Sequence, residues 1–365
     1  MKTLFNTMIL LFFSFLVSLI FTLFLGKIIV PVLRKFKIKQ TIREIGPSWH
    51  RTKQGTPTMG GVIFIIGIIL TVLIFVPIYC LLYKNEANID HFIVDLYNLK
   101  LNILKILCGI LMAISFGAIG FWDDYIKVTK RQNLGLTAKQ KLALQFFVAF
   151  MYLFFKSFIE FCYGQSKITV VNSLILGEID LGVFYFIICA VFIVGTVNAV
   201  NLTDGIDGLN ISVTFVVSTF LLLFSFMLCH LEIISILVSA LAGACVGFFV
   251  WNRNPAKVFM GDTGSLFLGG LLCAIVFTIN MPILLIVIGA TYYIEMFSVI
   301  LQVLYFKITK GKRLFKMAPI HHHFELLKWS EKKICTVFSL FTFVCGMLPT
   351  TLVMIAWYLF LYHRV

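Results

Sequence analysis

Ten apolar runs set the terms on which this chain can fold, because each is long enough to cross a bilayer core, which takes about 20 apolar residues per helix. They lie at about 8–32, 60–82, 101–122, 142–162, 183–200, 209–229, 233–250, 265–280, 283–306 and 334–360. In hydrocarbon every backbone N–H and C=O must be satisfied within the protein, so runs of this length become helices. The expected fold is an all-α polytopic membrane protein with about ten transmembrane helices in a single domain, 1–365. Composition agrees: 60% hydrophobic residues, 13% charged residues and a mean hydropathy of +1.01 exclude a water-soluble fold and a disordered chain. The nine cysteines are never closer than ten residues apart, so no zinc, redox or disulfide framework is expected. The first run has no small-residue cleavage site and its basic cluster follows it, the pattern of a retained span.

The net charge of +14 is first a statement about orientation, not about nucleic acid, and no nucleic-acid partner is expected. If odd spans run inward, the inner loops hold 23 basic and eight acidic residues, while the outer side holds seven of each. The positive-inside rule then places both termini outside. Glu295 lies alone in mid-span. A short outer segment near 168–180, with Val170, Val171, Leu174, Leu176 and Ile179, is expected as a small β-hairpin.

Polar residues next to spans carry the information in such a chain, since headgroup-level carboxylates and amides must be hydrated, paired or used. Four clusters open on the inner face. The third span ends in Asp123-Asp124-Tyr125-Ile126-Lys127 and the fifth in Asn198 to Gly208, with Asn201, Asp204 and Asp207. Trp251 to Ser265 contains Asn252, Phe259 and Gly261-Asp262-Thr263-Gly264-Ser265, and the last inner loop contains Pro319-Ile320-His321-His322-His323-Phe324-Glu325.

Every even-numbered helix begins on that face and points its positive dipole end and free N–H groups there. Gly55-Thr56-Pro57-Thr58-Met59-Gly60-Gly61 precedes the second helix, Asp207-Gly208 the sixth and Gly261-Asp262 opens the eighth. Carboxylates beside anion-binding helix ends would repel a bare phosphate, and a magnesium ion resolves that conflict. The pattern points to metal-dependent phosphoryl chemistry at the inner surface. Singly, each cluster has a plainer reading: a solvated helix end for Asp123-Asp124, an Asx-turn connection for Asn201 to Asp207, and topology or lipid contacts for Lys53, Lys127 and Lys139. Three adjacent histidines cannot all face one metal. It is the sharing of one face by four clusters that favours chemistry.

These motifs resemble those of the bacterial phospho-N-acetylmuramoyl-pentapeptide-transferases, within the polyprenyl-phosphate N-acetylhexosamine-1-phosphate transferase superfamily. The aspartate motifs mark the superfamily, and Ala318 to Glu325 resembles the muramoyl-pentapeptide branch. The resemblance implies transfer of phospho-MurNAc-pentapeptide from UDP-MurNAc-pentapeptide to undecaprenyl phosphate with Mg²⁺, giving lipid I and UMP in peptidoglycan synthesis. It also implies a multi-pass protein of the bacterial cytoplasmic (inner) membrane, in contact with membrane lipids, with its active site facing the cytoplasm. Homodimers are common in the family. By resemblance, Asp262 is the Mg²⁺ ligand, Asp123 the base or orienting group for the acceptor phosphate, and Asp124 a support for metal or phosphate geometry. Lys127 and Lys139 would neutralise phosphate charge. Lys53, Asn198, Asp207, Asn252 and Phe259 look like a uridine pocket, while Asn201, Asp204, His321, His322 and His323 would position the diphosphate and sugar. Thr58 and Gln302 are expected to bind substrate in the same cleft.

Two rivals stand beside this reading. One is a UDP-N-acetylglucosamine-using enzyme of the same superfamily. The other is a secondary transporter, which predicts repeats, broken helices and ionisable residues at mid-membrane.

Overall fold

The computed structural model describes residues 2–35, 55–86, 92–130, 134–228 and 231–362. Lys53 lies outside them. Helices α1 (Lys2–Lys35), α2 (Gly61–Glu86), α3 (Phe92–Thr129) and α4 (Ala138–Cys162) lead to a hairpin, β1 (Val170–Ser173) and β2 (Gly177–Asp180). Then follow α5 (Tyr185–Thr203), α6 (Leu209–Leu223), α7 (Glu232–Asn252), α8 (Gly261–Thr278), α9 (Pro282–Ile288), α10 (Ala290–Ile308), α11 (Ile320–Leu326) and α12 (Glu331–Tyr362). Among the described residues nine helices are long and apolar enough to cross a membrane, and α9 with α10 forms a tenth, bent pair.

The interior is built around α8. Every residue from Thr263 to Thr278 is buried, by α3 along its length, by α5 and by α2. Helix α7 is buried nearly as fully between α1, α2 and α6. The outer helices instead expose long apolar side chains, such as Phe12 and Phe24 on α1, Phe154 and Phe158 on α4, and Leu340 and Leu348 on α12. Such faces are stable only against lipid.

Close packing of α3 on α8 depends on small residues, which let backbones approach where lipid offers no competing hydrophobic drive. At Gly120 a Cβ would lie 2.1 Å from the Asp262 carbonyl oxygen, so only glycine fits one turn before Asp123 and Asp124. The opposite end of the bundle carries the hairpin, antiparallel with Val171 opposite Ile179, and the Asn172 N–H donates to the Asn280 carbonyl in the α8–α9 turn at 2.9 Å.

One expected span departs from a straight crossing. The run 283–306 is two helices meeting at 80° about Gly289. The Gly289 N–H closes α9 on the Leu285 carbonyl at 2.8 Å, in a spot where a Cβ would stand 2.7 Å from that oxygen. Beyond the bend α10 buries Tyr292, Glu295 and Ser298 and exposes Phe297, Leu301 and Leu304. The break is one feature the transporter alternative predicted, and it arises here from a glycine.

Candidate active site

Helical spacing puts Asp123 and Lys127 on one face of α3, four residues apart, and their side chains pair. Asp123 is 3% exposed, and its Oδ1 accepts from the Leu136 N–H at 2.7 Å, which folds the loop before α4 back over it. Asp124, 4% exposed, points toward the start of α8. Its Oδ2 accepts from the Thr263 N–H at 3.0 Å and the Thr263 hydroxyl at 2.8 Å, and its Oδ1 from the Asp262 N–H at 3.3 Å. A carboxylate accepting the free amides of a helix N-terminus satisfies donors that the helix leaves unpaired. Gly261 makes this approach feasible: its φ is +70°, and a Cβ there would lie 2.4 Å from Asp124 Oδ2 and 2.8 Å from the Thr58 hydroxyl.

Asp262 therefore enters the same space from α8. Its Oδ2 accepts from Lys127 Nζ and Lys141 Nζ, each at 2.9 Å, and its Oδ1 from Asn201 Nδ2 at 2.8 Å. Asn201 also reaches Ser265 Oγ at 2.7 Å. Asp123, Asp124 and Asp262 each offer an oxygen within 4.8 Å of the others, which makes them a candidate metal centre. Three carboxylates against two ammonium groups leave negative charge in excess. Asp204, in the α5–α6 turn, feels that excess: burial, then the carboxylates of Asp262, Asp124 and Asp207, hold its carboxyl well above the usual range.

The remaining expected residues fall into distinct places. Asn198 pairs with the buried Gln145, donating to its Oε1 at 2.7 Å. Asp207 accepts from the Ala256 N–H at 2.9 Å and from Asn254 Nδ2 at 3.3 Å, and Asn254 also donates to Glu331 at 3.0 Å. Asn252 accepts from the Gly208 N–H at 3.1 Å and donates to the Val258 carbonyl at 3.0 Å. Asp207 and Asn252 thus fasten the 251–259 loop to the α5–α6 turn. Phe259, half-buried, is held by backbone bonds to Pro57 and Gly60, both at 2.8 Å, so the Gly55–Gly61 segment packs on this loop beside buried Thr58.

The three histidines, on α11, face three ways. His321 meets Glu295, His322 Nδ1 lies 2.6 Å from Glu325 Oε2, and His323 Nδ1 accepts from the Lys316 N–H at 3.1 Å. Gln302 spends its amide on the 314–315 backbone, with Oε1 accepting from the Phe315 N–H at 2.8 Å. Lys139 is exposed, whereas Lys141, not singled out by sequence, reaches Asp262. The signal for Lys141 is its phase: it stands four residues before Gln145, on the α4 row that continues through Ala149, Tyr152, Lys156 and Glu160.

Residues 106–280 match the family described as "Glycosyl transferase family 4", and residues 53–65 match "Phospho-N-acetylmuramoyl-pentapeptide-transferase signature 1". The chain is 44% identical over 335 residues to the phospho-N-acetylmuramoyl-pentapeptide-transferase of Clostridium botulinum (strain Alaska E43 / Type E3), covering 91% of this chain and 93% of the relative. Those of Clostridium kluyveri and Caldicellulosiruptor bescii are both 42% identical, over 92% and 93% of this chain and 96% of each relative. With relatives so similar over nearly their whole length, and an aspartate triad gathered at one end of a membrane bundle, this chain belongs to the phospho-N-acetylmuramoyl-pentapeptide-transferase family.

Proposed function

We propose that this chain transfers phospho-MurNAc-pentapeptide from UDP-MurNAc-pentapeptide to undecaprenyl phosphate, releasing UMP and forming lipid I, at the cytoplasmic face of the bacterial inner membrane. The observation that carries the reading is the triad of buried Asp123 and Asp124 with half-buried Asp262, paired with Lys127 and Lys141 at the helix ends, where a water-soluble nucleotide and a lipid phosphate would meet. The inner placement rests on the 23 basic residues of the loops at this end.

The donor set fits a magnesium ion: hard carboxylate oxygens, close together, with phosphate oxygens to complete the shell. Glycine at 135 leaves open the space beside Asp123, where a Cβ would lie 2.3 Å from Oδ1. Asp262, with Asp123 and Asp124, would hold the ion, which when bound supplies charge neutralisation and Lewis-acid polarisation of the diphosphate.

The other steps belong to the chain's own groups. An oxygen of the acceptor phosphate attacks the sugar-linked phosphorus, the bond to the UMP oxygen breaks, and UMP leaves with the electron pair in a single in-line displacement. The acceptor is already anionic near neutrality, so Asp123 has to orient it more than deprotonate it. Lys127 and Lys141 supply positive charge for the phosphates, Asn201 holds Asp262 in place, and Thr263 fixes Asp124. Phe259 offers a ring for uracil, with Thr58, Asn198, Asp207 and Asn252 in or behind that pocket, and Lys53 is assigned to the same nucleotide on its sequence motif alone. Lys139, Asp204, Gln302, His322 and His323 complete the donor's surroundings, and the active unit is a homodimer.

The test is transfer of label from each donor in purified membranes, with and without Mg²⁺. Product from UDP-MurNAc-pentapeptide but not UDP-GlcNAc supports the reading, and the reverse overturns it. Transport without product chemistry would revive the transporter alternative, against which Glu295, the mid-span carboxylate, is tied to His321.

A further inference from the structure

Helix α11 carries His321 to a place that solvent does not reach: its side chain is 0% exposed, as is that of Glu295 on α10. The two come from segments on either side of the 309–319 loop and meet with His321 Nδ1 3.0 Å from Glu295 Oε2. The His321 N–H points at the same oxygen from 3.5 Å. The contact fixes the ring's orientation from its Nδ1 side. Among the described residues the opposite ring atom, Nε2, has no hydrogen-bond partner, and neither has Glu295 Oε1. Leaving buried polar atoms unpaired is costly, and an apolar pair of similar shape would avoid that cost.

What Nε2 faces is the backbone of Gly205, where a Cβ would stand 2.1 Å from it. Gly205 is exposed and follows Asp204, whose N–H donates to the Asn201 carbonyl at 3.2 Å. Asn201 in turn holds Asp262 at 2.8 Å. A chain of contacts therefore runs from Glu295 through His321 and the Asn201–Gly205 turn to the aspartate triad, with His321 behind that turn and not on its open side.

We propose that Glu295 is a positioning residue that acts through His321: the carboxylate fixes the imidazole, and the imidazole sets the Asn201–Gly205 turn against Asp262. The inference rests on the transferase reading, and it moves His321 from the surroundings of the diphosphate to the support of the turn.

The experiment measures kcat and both KM values of the full chain in detergent for Glu295→Gln, His321→Asn and the double variant, with thermal melting of each. Glutamine keeps the shape of Glu295 and removes the charge that fixes the ring. The expected result is a kcat loss of about 10- to 100-fold for each single variant, with KM values within roughly threefold of the parent. The double variant should be no slower than His321→Asn alone, because one residue acts through the other. Parental kcat in Glu295→Gln overturns the proposal. So do additive losses, or a large rise in donor KM at parental kcat, which would mark direct contact with the nucleotide sugar. If Glu295→Gln fails to accumulate, Glu295→Asp carries the same test: its kcat loss should vanish on the His321→Asn background, and persistence there overturns the proposal. Absence of transfer by the parent chain would instead sink the transferase reading.

Discussion

Replacing Gly120 with alanine tests whether catalysis depends on the separation of α3 and α8. The new Cβ would start 2.1 Å from the Asp262 carbonyl oxygen and 2.6 Å from the Thr263 amide nitrogen, both backbone atoms that cannot rotate away. Restoring van der Waals contact requires about 1 Å of movement between the helix bearing Asp123 and Asp124 and the one bearing Asp262. A misplacement of that size costs about 100-fold in rate, or about 2.7 kcal/mol. Overpacking separately destabilises the fold by about 1–3 kcal/mol. Gly109→Ala separates the two effects. There a Cβ would meet Ala274 Cβ at 2.7 Å on the same helix pair, eleven residues or about 16 Å from Gly120. Both variants should melt at lower temperature in detergent, while only Gly120→Ala should lose kcat in the transfer assay. Equal kcat in the two variants would refute the argument that the aspartate geometry is set by this helix contact.

Asp262→Asn should lower transfer by about 100- to 1,000-fold while the protein still accumulates in membranes; chelation with EDTA should abolish parental activity and added Mg²⁺ restore it. Lys141→Met should cost at least roughly tenfold more kcat than Lys139→Met, since only Lys141 reaches Asp262. Asn252→Ala should lower stability by about 1–3 kcal/mol in thermal melts, because the Gly208 N–H and the Val258 carbonyl both lose their partner.

The spans were legible because a lipid-crossing helix has to be long and apolar, and that requirement is written locally. The hairpin, signalled by apolar residues near 168–180, forms at 170–180, where short β-prone stretches flank a tight turn at Leu174–Leu176. The bend at Gly289 was not legible, since a glycine inside an apolar run is common in straight spans as well. In the site, the aspartates showed themselves as carboxylates at helix ends. The choice of Lys141 over Lys139 needed the phase of α4, which is set by where that helix starts: Thr137 caps it, accepting from the Gln140 N–H. The Glu295–His321 pair could not be read at all, because it joins residues 26 apart across a loop and a short helix that only tertiary packing brings together.

Helix α8 has a consequence for how the protein is made. Among the unbroken spans of the described residues its mean hydropathy is the lowest, and it is the most fully enclosed. Of these spans it has little to gain from lipid contact, so its seating draws most on packing against α2, α3 and α5, all synthesised before it. Asp262 rides at its first turn. The three carboxylates of the triad therefore come together only when this last interior helix seats against α3, and an incompletely assembled chain lacks the proposed site.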